Sequence, residues 1–277
     1  MPCAHSPADA RQNNLLAVLP ELEWERLRRN LQPVFLPLNA TLYESGVQFE
    51  YAYFPTTAIV SLEHLMADGA SAETAIVGCD GLLGIALFMG GESRPNRAVV
   101  QIEGWAYRLR GRLLNVEFMR GGPLQELLLR YTMALITQTA QTGICNRHHS
   151  VDQQLCRWLL LSLDRSASSE LATTHEQIAR MLGVRREGVT EAAGMLQRAR
   201  LIHYRRGRIT VVDRAGLESR CCECYGVVKR EFDRLLPTVR PRAAVASRGA
   251  PAAWYCGAGR VENVGTQFSV GSLLPGL

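Results

Sequence analysis

The stretch "THEQIARMLGVRREGVTEAAGMLQRARLI", residues 174–202, carries two short helical patterns separated by Gly183. Thr174 followed by Gln177 is a capping-box pattern, which begins a helix because the two residues satisfy free backbone amides. Gly183 ends this helix, since glycine readily adopts the left-handed conformation found at helix C-termini. The stretch therefore predicts two helices joined by a tight turn.

The second helix, predicted from about Arg185 to Arg200, has two different faces. One face collects small and apolar side chains: Val189, Ala192, Ala193 and Leu196. The other collects polar ones: Arg186, Glu187, Thr190 and Glu191. Packing of the apolar face against the first helix would hold the polar face outward, as in a DNA-binding helix-turn-helix.

Base contacts in such a motif come from the start of the second helix. Arg186 is suited to bidentate contact with guanine, and Glu187 to accepting a hydrogen bond from a cytosine amine. Arg185, together with the helix N-terminus, is suited to a phosphate. The predicted DNA-binding set also includes Thr174, Thr190 and Glu191.

The segment "LIHYRRGRITVVD", residues 201–213, predicts a β-hairpin that turns at Arg206-Gly207. Its tip carries Arg205, Arg206 and Arg208, which we expect to contact backbone phosphates. Helix, turn, helix and basic hairpin together indicate a winged helix. The alternative is a helical hairpin with a solvated charged face.

The charge distribution favours the winged helix. The chain of 277 residues has a net charge of +5, and residues 170–234 carry 13 basic and 9 acidic side chains. Residues 1–169 carry 14 basic and 16 acidic side chains. An excess of positive charge in the C-terminal part indicates a polyanionic partner for that part.

Residues 34–109 are rich in short runs of β-branched and aromatic residues separated by turn formers. This texture predicts an antiparallel barrel or sandwich. An enzyme on a cupin-like barrel is the alternative, but His64 is the only histidine between residues 34 and 110. With no glycine-rich phosphate loop or serine elbow either, no enzymatic function is predicted.

A long helix is predicted from "PLQELLLRYTMALITQTAQTGICNRHH", residues 123–149, with a proline where helix starts tolerate one. It offers one seam, which makes it a candidate dimerisation helix: Leu124, Leu127 or Leu128, Tyr131, Leu135 and Gln138. A helix buried within the chain is the alternative. Further upstream, Leu15, Leu16, Leu19, Leu22 and Leu27 are spaced for one face of one or two short helices.

These motifs resemble the Crp/Fnr transcription regulators, the group of the cyclic-AMP receptor protein and the fumarate–nitrate regulator. The resemblance covers about residues 30–235 and is most specific in residues 174–202 and the wing. It implies an α+β fold: an N-terminal antiparallel β-roll, a long dimerisation helix and a C-terminal winged helix-turn-helix. The expected segments are a helical lead-in and sensor at 1–111, a helical segment at 112–148, a DNA-binding domain at 149–236 and a disordered tail at 237–277.

The resemblance also implies a sequence-specific regulator that binds a two-fold DNA site as a homodimer, with RNA polymerase as a further expected partner. Two residues depart from the family pattern. Gly188 replaces a small hydroxyl residue that helps to hold phosphate, and Glu191 stands where many members carry arginine.

Cyclic-nucleotide binders of the family carry a glycine followed by a glutamate, and then a proline-arginine pair. Here Leu82 and Leu83 follow Gly81, and Asn96 separates Pro95 from Arg97. The carboxylate that would hold the ribose is missing, so the cassette is not intact. Gly81, Arg94 and Arg97 stay the candidate ligand-binding residues, with surface charge as the alternative for the two arginines. The effector is left unknown.

Two groups of cysteine and histidine residues leave a metal- or redox-sensing role open as the alternative function. One group is Cys221, Cys222 and Cys224, which lacks an evident fourth ligand. The other is Cys145, His148, His149 and Cys156. We predict no metal and no cofactor, because helices that merely carry these residues also account for the pattern. Scattered cysteines, together with the lack of a secretory signal or membrane-span pattern, predict a cytoplasmic protein.

Overall fold

Seven antiparallel strands lie between residues 32 and 110. The structure is a computed structural model, and it describes residues 9–47, 50–67, 69, 71–91, 96–166 and 168–237. The strands are β1 (Gln32–Leu36), β2 (Thr41–Tyr43), β3 (Tyr51–Pro55), β4 (Ile59–Leu65), β5 (Ser71–Val77), β6 (Asn96–Ile102) and β7 (Gly104–Arg110). One sheet has the order β1-β7-β3 and the other β2-β6-β4-β5. Buried side chains of both sheets share one hydrophobic core. The predicted β-roll is confirmed.

The chain passes from one sheet to the other at Gly104. Here β6 ends at Ile102 and β7 begins at Gly104, within the β-rich run AVVQIEGWAYRL of residues 98–109. A Cβ atom at Gly104 would lie 2.6 Å from Thr57 Oγ1 and 2.7 Å from the backbone nitrogen of Ala58. Only glycine allows the two backbones to approach this closely.

Short helices flank the β-roll. They are α1 (Asn14–Ala17), α2 (Glu21–Arg28), α3 (Ala86–Met89) and α4 (Gly111–Met119). The buried Asn13 anchors the first of them, because its amide donates to the carbonyl oxygens of Pro55 and Gly81 at 2.9 and 2.8 Å. The predicted leucine face is wrong at Leu22, which is exposed. The helix is interrupted between α1 and α2, so Leu22 does not continue the face of Leu15 and Leu16.

The long helix α5 runs over 26 residues, Pro123–His148, and begins with proline as predicted. Its predicted seam is buried within the chain: Leu124, Leu127, Leu128, Tyr131, Leu135 and Gln138. The seam therefore belongs to the intramolecular core and cannot form an interface between copies. A different stripe of α5 is apolar and exposed: Leu129, Met133, Ile136 and Ile144.

The C-terminal part is a helical unit with a small sheet. Its elements are α6 (Val151–Asp164), β8 (Glu170–Ala172), α7 (His175–Leu182), α8 (Arg186–Arg198), β9 (Ile202–Arg205), β10 (Arg208–Val211), α9 (Arg214–Arg220) and α10 (Glu223–Leu235). The antiparallel sheet has the order β8-β10-β9. With this unit the predicted winged helix-turn-helix is confirmed, and β8 adds a strand that the sequence analysis did not predict.

A second hydrophobic core lies around α6, α7, α8 and the small sheet. Ile59 of β4 and Ile76 of β5 belong to it, so one sheet of the β-roll contributes directly to the packing of the C-terminal unit. All described residues fall within one compact unit, Met1–Val239. The segment boundaries given above stay a prediction, and the predicted tail lies outside the described residues apart from Pro237.

In the part of the chain that the structure describes, no helix has both the length and the apolar character needed to cross a membrane.

Candidate nucleic-acid interface

The helix-turn-helix is built by the local signals that the sequence contains. Thr174 caps α7: its hydroxyl accepts from the backbone of Gln177 at 3.2 Å, and Gln177 Oε1 accepts from the backbone of Thr174 at 2.9 Å. Gly183 ends α7 with φ of 64°, a left-handed conformation that glycine adopts without strain. Arg185 then takes the cap position of α8 in an extended conformation. The turn thus fixes the angle at which α8 leaves α7.

The two faces of α8 are as predicted. Val189, Ala192, Ala193 and Leu196 are almost completely buried and belong to the second core. Arg186, Glu187, Thr190 and Glu191 are all exposed. Because α6 and α7 pack on the buried face, the polar face at the start of α8 is held toward solvent.

The arginines at this end of the helix have free guanidinium groups. Within the described ranges, neither Arg185 nor Arg186 forms an ion pair with a carboxylate. Both lie beside the N-terminus of α8, where unpaired backbone amides and the helix dipole add positive potential. This end of α8 therefore offers an anion-binding surface with two unpaired cations.

Thr190 connects α7, α8 and the wing, a role that the sequence analysis missed. Its hydroxyl donates to the carbonyl oxygen of Arg186 at 3.0 Å and lies 3.1 Å from Nδ1 of His175. The His175 ring stacks on Tyr204 of β9 with 4.1 Å between the ring centroids. Partial burial, and then the charge of Arg186, lower the pKa of His175 below its ordinary value. No sequence pattern marks this contact, since His175 and Tyr204 lie in separate elements.

The wing turns at Arg206 and Gly207, which have positive φ values of 50° and 73°. Two consecutive residues of this kind form the turn type that matches the twist of a hairpin. Arg205 and Arg206 are exposed and, in the described chain, have no carboxylate partner. Arg208 differs, because it forms an ion pair with Glu170 of β8 at 2.5 Å.

Of the candidate ligand-binding residues, the structure describes Gly81 and Arg97, and each is already engaged within the fold. A Cβ atom at Gly81 would lie 2.5 Å from the hydroxyl of Tyr131, which itself donates to the carbonyl oxygen of Leu82 at 2.9 Å. Gly81 therefore serves close packing against α5. Arg97 forms an ion pair with the buried Glu63, at 2.9 Å between Nη2 and Oε2. Arg94 lies outside the described residues.

A buried carboxyl group lies where the β-roll meets α6. Glu73 of β5 accepts from Ser61 Oγ at 2.7 Å. Burial raises the pKa of Glu73 to about 8, against the opposing effects of the Ser61 hydrogen bond and the Arg157 charge. A direct hydrogen bond joins the β-roll to α7, since Gln177 Nε2 donates to Asn39 Oδ1 at 3.1 Å.

In the folded chain, four potential metal ligands from the two groups lie close together: Cys145, His149, Cys222 and Cys224. Their ligand atoms all lie within 4.8 Å of one another. Hydrogen bonds from Cys145 and Cys221 hold the pKa of Cys222 well below its ordinary value. Cys156 and Cys221, as well as the exposed His148, are not members of the set. Sequence spacing alone does not bring the two groups together, because 77 residues separate Cys145 from Cys222.

Comparisons with known proteins agree with this geometry. Residues 153–220 match the family of the Crp-like helix-turn-helix domain. No curated protein sequence matches the chain.

Solved structures match over most of the chain. FixK2 from Bradyrhizobium japonicum is 17% identical, with 69% of this chain and 98% of that chain covered and a TM-score of 0.59. A proposed Crp/Fnr-family regulator from Eubacterium rectale is 16% identical, with coverage of 75% and 97% and a TM-score of 0.58. A CRP-family regulator from Thermus thermophilus is 20% identical, with coverage of 67% and 95% and a TM-score of 0.56.

At these identities the solved structures establish the fold, and the domain match identifies the DNA-binding part. The protein therefore has the fold of these solved regulators and contains a Crp-like helix-turn-helix domain at residues 153–220, which supports a DNA-binding transcription regulator.

Proposed function

We propose that the protein is a homodimer that reads a two-fold symmetric DNA site with the start of α8. The observation that carries this proposal is the exposed polar face of α8, whose opposite face is fully packed. Arg186 reads guanine and Glu187 accepts from cytosine, because both side chains project from the first turn of the helix. Arg185, Arg205 and Arg206 hold backbone phosphates. Thr174, Thr190 and Glu191 complete the interface.

Thr190 has a positioning role in this proposal. Its hydroxyl already contacts His175 and the backbone of Arg186, so it fixes the start of α8 relative to the wing. Arg208 contributes less than Arg205 or Arg206, because its charge is already paired with Glu170.

The exposed stripe of α5 supports the homodimer. Leu129, Met133 and Ile136 are separated by steps of four and three residues, as in the seam of a coiled coil. Pairing of this stripe with the same stripe of a second copy would place the two α8 helices as a symmetric pair. Half-sites about 34 Å apart, one turn of DNA, then match the two-fold axis.

The interior of the β-roll supports an effector other than a cyclic nucleotide. Leu82 and Leu83 are fully buried in the first core, where a ribose-binding carboxylate would be needed. The guanidinium group of Arg97 already forms an ion pair with Glu63. We infer a cytoplasmic regulator without enzymatic activity whose signal is still to be identified, and contact with RNA polymerase stays a prediction.

The experiment is selection of genomic fragments by the full-length protein, followed by footprinting of the selected fragments. Arg186→Ala is compared with Arg198→Ala, which removes an exposed arginine from the opposite end of the same helix. We expect a protected two-fold site, and a loss of about 1–3 kcal/mol at one base position for Arg186→Ala alone.

Equal weakening on all sequences for Arg186→Ala would contradict its assignment to base reading. Binding without any protected site, at salt concentrations where the affinity is high, would contradict sequence-specific recognition altogether.

A further inference from the structure

Three thiols and one imidazole meet where the end of α5 lies against the start of α10. Cys145 Sγ lies 3.6 Å from Cys222 Sγ, and Cys224 Sγ lies 3.4 Å from Nδ1 of His149. The four ligand atoms lie within 4.8 Å of one another. We propose that Cys145, His149, Cys222 and Cys224 bind one Zn²⁺ ion.

The two distances match the edges of a zinc tetrahedron. With Zn–S bonds of about 2.3 Å and Zn–N bonds of about 2.0–2.1 Å, tetrahedral geometry requires S···S distances near ~3.8 Å and S···N distances near ~3.5 Å. The observed 3.6 and 3.4 Å are close to these values. Thiol hydrogen bonds have similar lengths, so it is the meeting of all four ligand atoms within 4.8 Å that favours a metal.

Local structure places each pair of ligands. Cys145 and His149 are four residues apart at the end of α5, so both project from the same side of the helix. Cys222 caps the N-terminus of α10, and Cys224 lies in its first turn. Thiolates are favoured at a helix N-terminus, where the helix dipole and the free amides stabilise negative charge.

Neighbouring side chains orient the ligands as they do in known zinc sites. Nε2 of His149 lies 3.4 Å from Oε2 of Glu223, which leaves Nδ1 to face the thiols. A carboxylate in this position fixes the tautomer of a metal-binding histidine and raises its basicity. Gln141 Nε2 donates to Cys224 Sγ at 3.1 Å.

Charge also favours a divalent ion at this position. Three thiolates and a neutral imidazole around Zn²⁺ carry a net charge of about −1. The buried Arg157 of α6 lies close enough for its positive charge to act on Cys145. Arg157 Nε has no hydrogen-bond partner among the described residues. Its charge would therefore balance that of the occupied site.

The ligand set indicates a structural site. Four protein ligands fill the tetrahedral shell and leave no position for a substrate or a water molecule. Sulfur ligands select Zn²⁺ against Mg²⁺ and Ca²⁺, which prefer oxygen. The ion would join α5 to α10 and so link the proposed dimer helix to the helix that follows the Crp-like helix-turn-helix match at residues 153–220. This inference does not depend on the DNA-binding proposal.

The test is the metal content of the full-length protein, purified without oxygen and measured by mass spectrometry of the elements. We expect about one zinc ion per chain. Added Co²⁺ should give the visible absorption of a tetrahedral thiolate site. Two matched pairs of variants locate the ion: His149→Ala against His148→Ala, and Cys222→Ser against Cys221→Ser. The first member of each pair should lose the zinc, and the second should retain it.

Glu223→Gln provides a variant that does not threaten folding, because Glu223 is exposed. It should weaken zinc binding about 10- to 100-fold in a chelator competition. Glu231→Gln, on the same helix, should leave zinc binding unchanged.

Three outcomes would overturn the proposal. The first is protein purified without oxygen that neither contains zinc nor takes up added Zn²⁺ or Co²⁺. The second is full retention of zinc by both His149→Ala and Cys222→Ser. The third is a Cys145–Cys222 disulfide in that preparation, which would make the cluster a redox pair.

Discussion

Asp80 and Arg165 form an ion pair with 2.8 Å between Oδ2 and Nη2, although 85 residues separate them along the chain. Arg165 also donates to Gln138 Oε1 of α5 at 2.8 Å and to the carbonyl oxygen of Leu161 at 3.0 Å. Asp80 follows β5, and Arg165 follows α6. One buried guanidinium therefore joins the β-roll, the long helix and the DNA-binding unit.

Loss of this guanidinium should destabilise the protein strongly. Arg165→Met leaves the carboxylate of Asp80 and the amide oxygen of Gln138 without their donor, at a cost of about 3–5 kcal/mol. Asp80→Asn in the same chain removes the unpaired charge and should recover part of the loss. Chemical denaturation of the two single variants and the double variant measures this coupling. Strictly additive losses would show that the pair is not coupled.

The buried Glu73 predicts a stability that falls as the pH rises. Its pKa is about 8 in the folded protein and close to its ordinary value of 4.5 after unfolding. A folded pKa above the unfolded value means that the stabilisation is complete below about pH 4.5 and is lost as the pH rises toward 8. The loss is at most about 1.4 kcal/mol per pH unit.

Glu73→Gln mimics the protonated form and should flatten this pH profile. Thermal unfolding between about pH 5 and 8 provides the measurement, with the exposed Glu176→Gln as the control. An unchanged slope in Glu73→Gln would exclude Glu73 as its source.

Gly81→Ala should destabilise the fold by about 1–3 kcal/mol. The added methyl group would lie 2.5 Å from the Tyr131 hydroxyl and 2.6 Å from its ring, and both are held inside the core. Gly194→Ala is the control, because its methyl group meets only Arg198 at an ordinary 3.5 Å. That variant should stabilise α8 by roughly 0.5–1 kcal/mol. Equal effects of the two variants on the free energy of unfolding would contradict the packing role of Gly81.

Charged residues in the exposed stripe of α5 should shift the protein toward monomers. Met133→Glu and Ile136→Glu each place a carboxylate in the proposed seam, where a second copy would bring a like charge opposite it. Sedimentation at several concentrations measures the shift. Leu22→Glu changes an exposed leucine of α2 and should leave the association state unaltered. A wild-type protein that stays monomeric at all concentrations would refute the dimer.

The arginines of the wing should act on affinity without changing sequence preference. Arg206→Asn keeps a residue that tolerates the positive φ of the turn but removes one charge. Binding should weaken to a similar degree on all DNA sequences, and the slope of affinity against salt should decrease by about one unit. Arg208→Ala should change this slope less, since Glu170 already pairs with Arg208. A change of preferred site in Arg206→Asn would assign base reading to the wing.

Features encoded within a few residues were the ones that the sequence predicted well. The capping box at Thr174, the glycine at 183 and the Arg206-Gly207 turn each act on their own backbone. They can therefore be recognised in the sequence without knowledge of the fold. The buried and exposed faces of α8 were also predicted correctly, because helical periodicity alone places Val189 and Arg186 on different sides of the helix.

Features that depend on distant partners were missed or misassigned. β8 has only three residues, and it exists because β10 pairs with it. The helix α5 has two apolar sides, and periodicity cannot show which side the β-roll covers. For the cysteines, spacing showed two incomplete groups, and only the packing of α10 along α5 brings Cys222 to Cys145.

The position of β10 between β8 and β9 has a consequence for how the wing meets DNA. The backbone amide of Thr173 donates to the carbonyl oxygen of Gly207 at 2.9 Å, so the tip of the hairpin is fastened beside the start of α7. A two-stranded ribbon would have to give up conformational freedom on contact with a phosphate. Here that entropy is already lost when the chain folds, and the tip arginines approach the duplex on a surface that needs little further ordering.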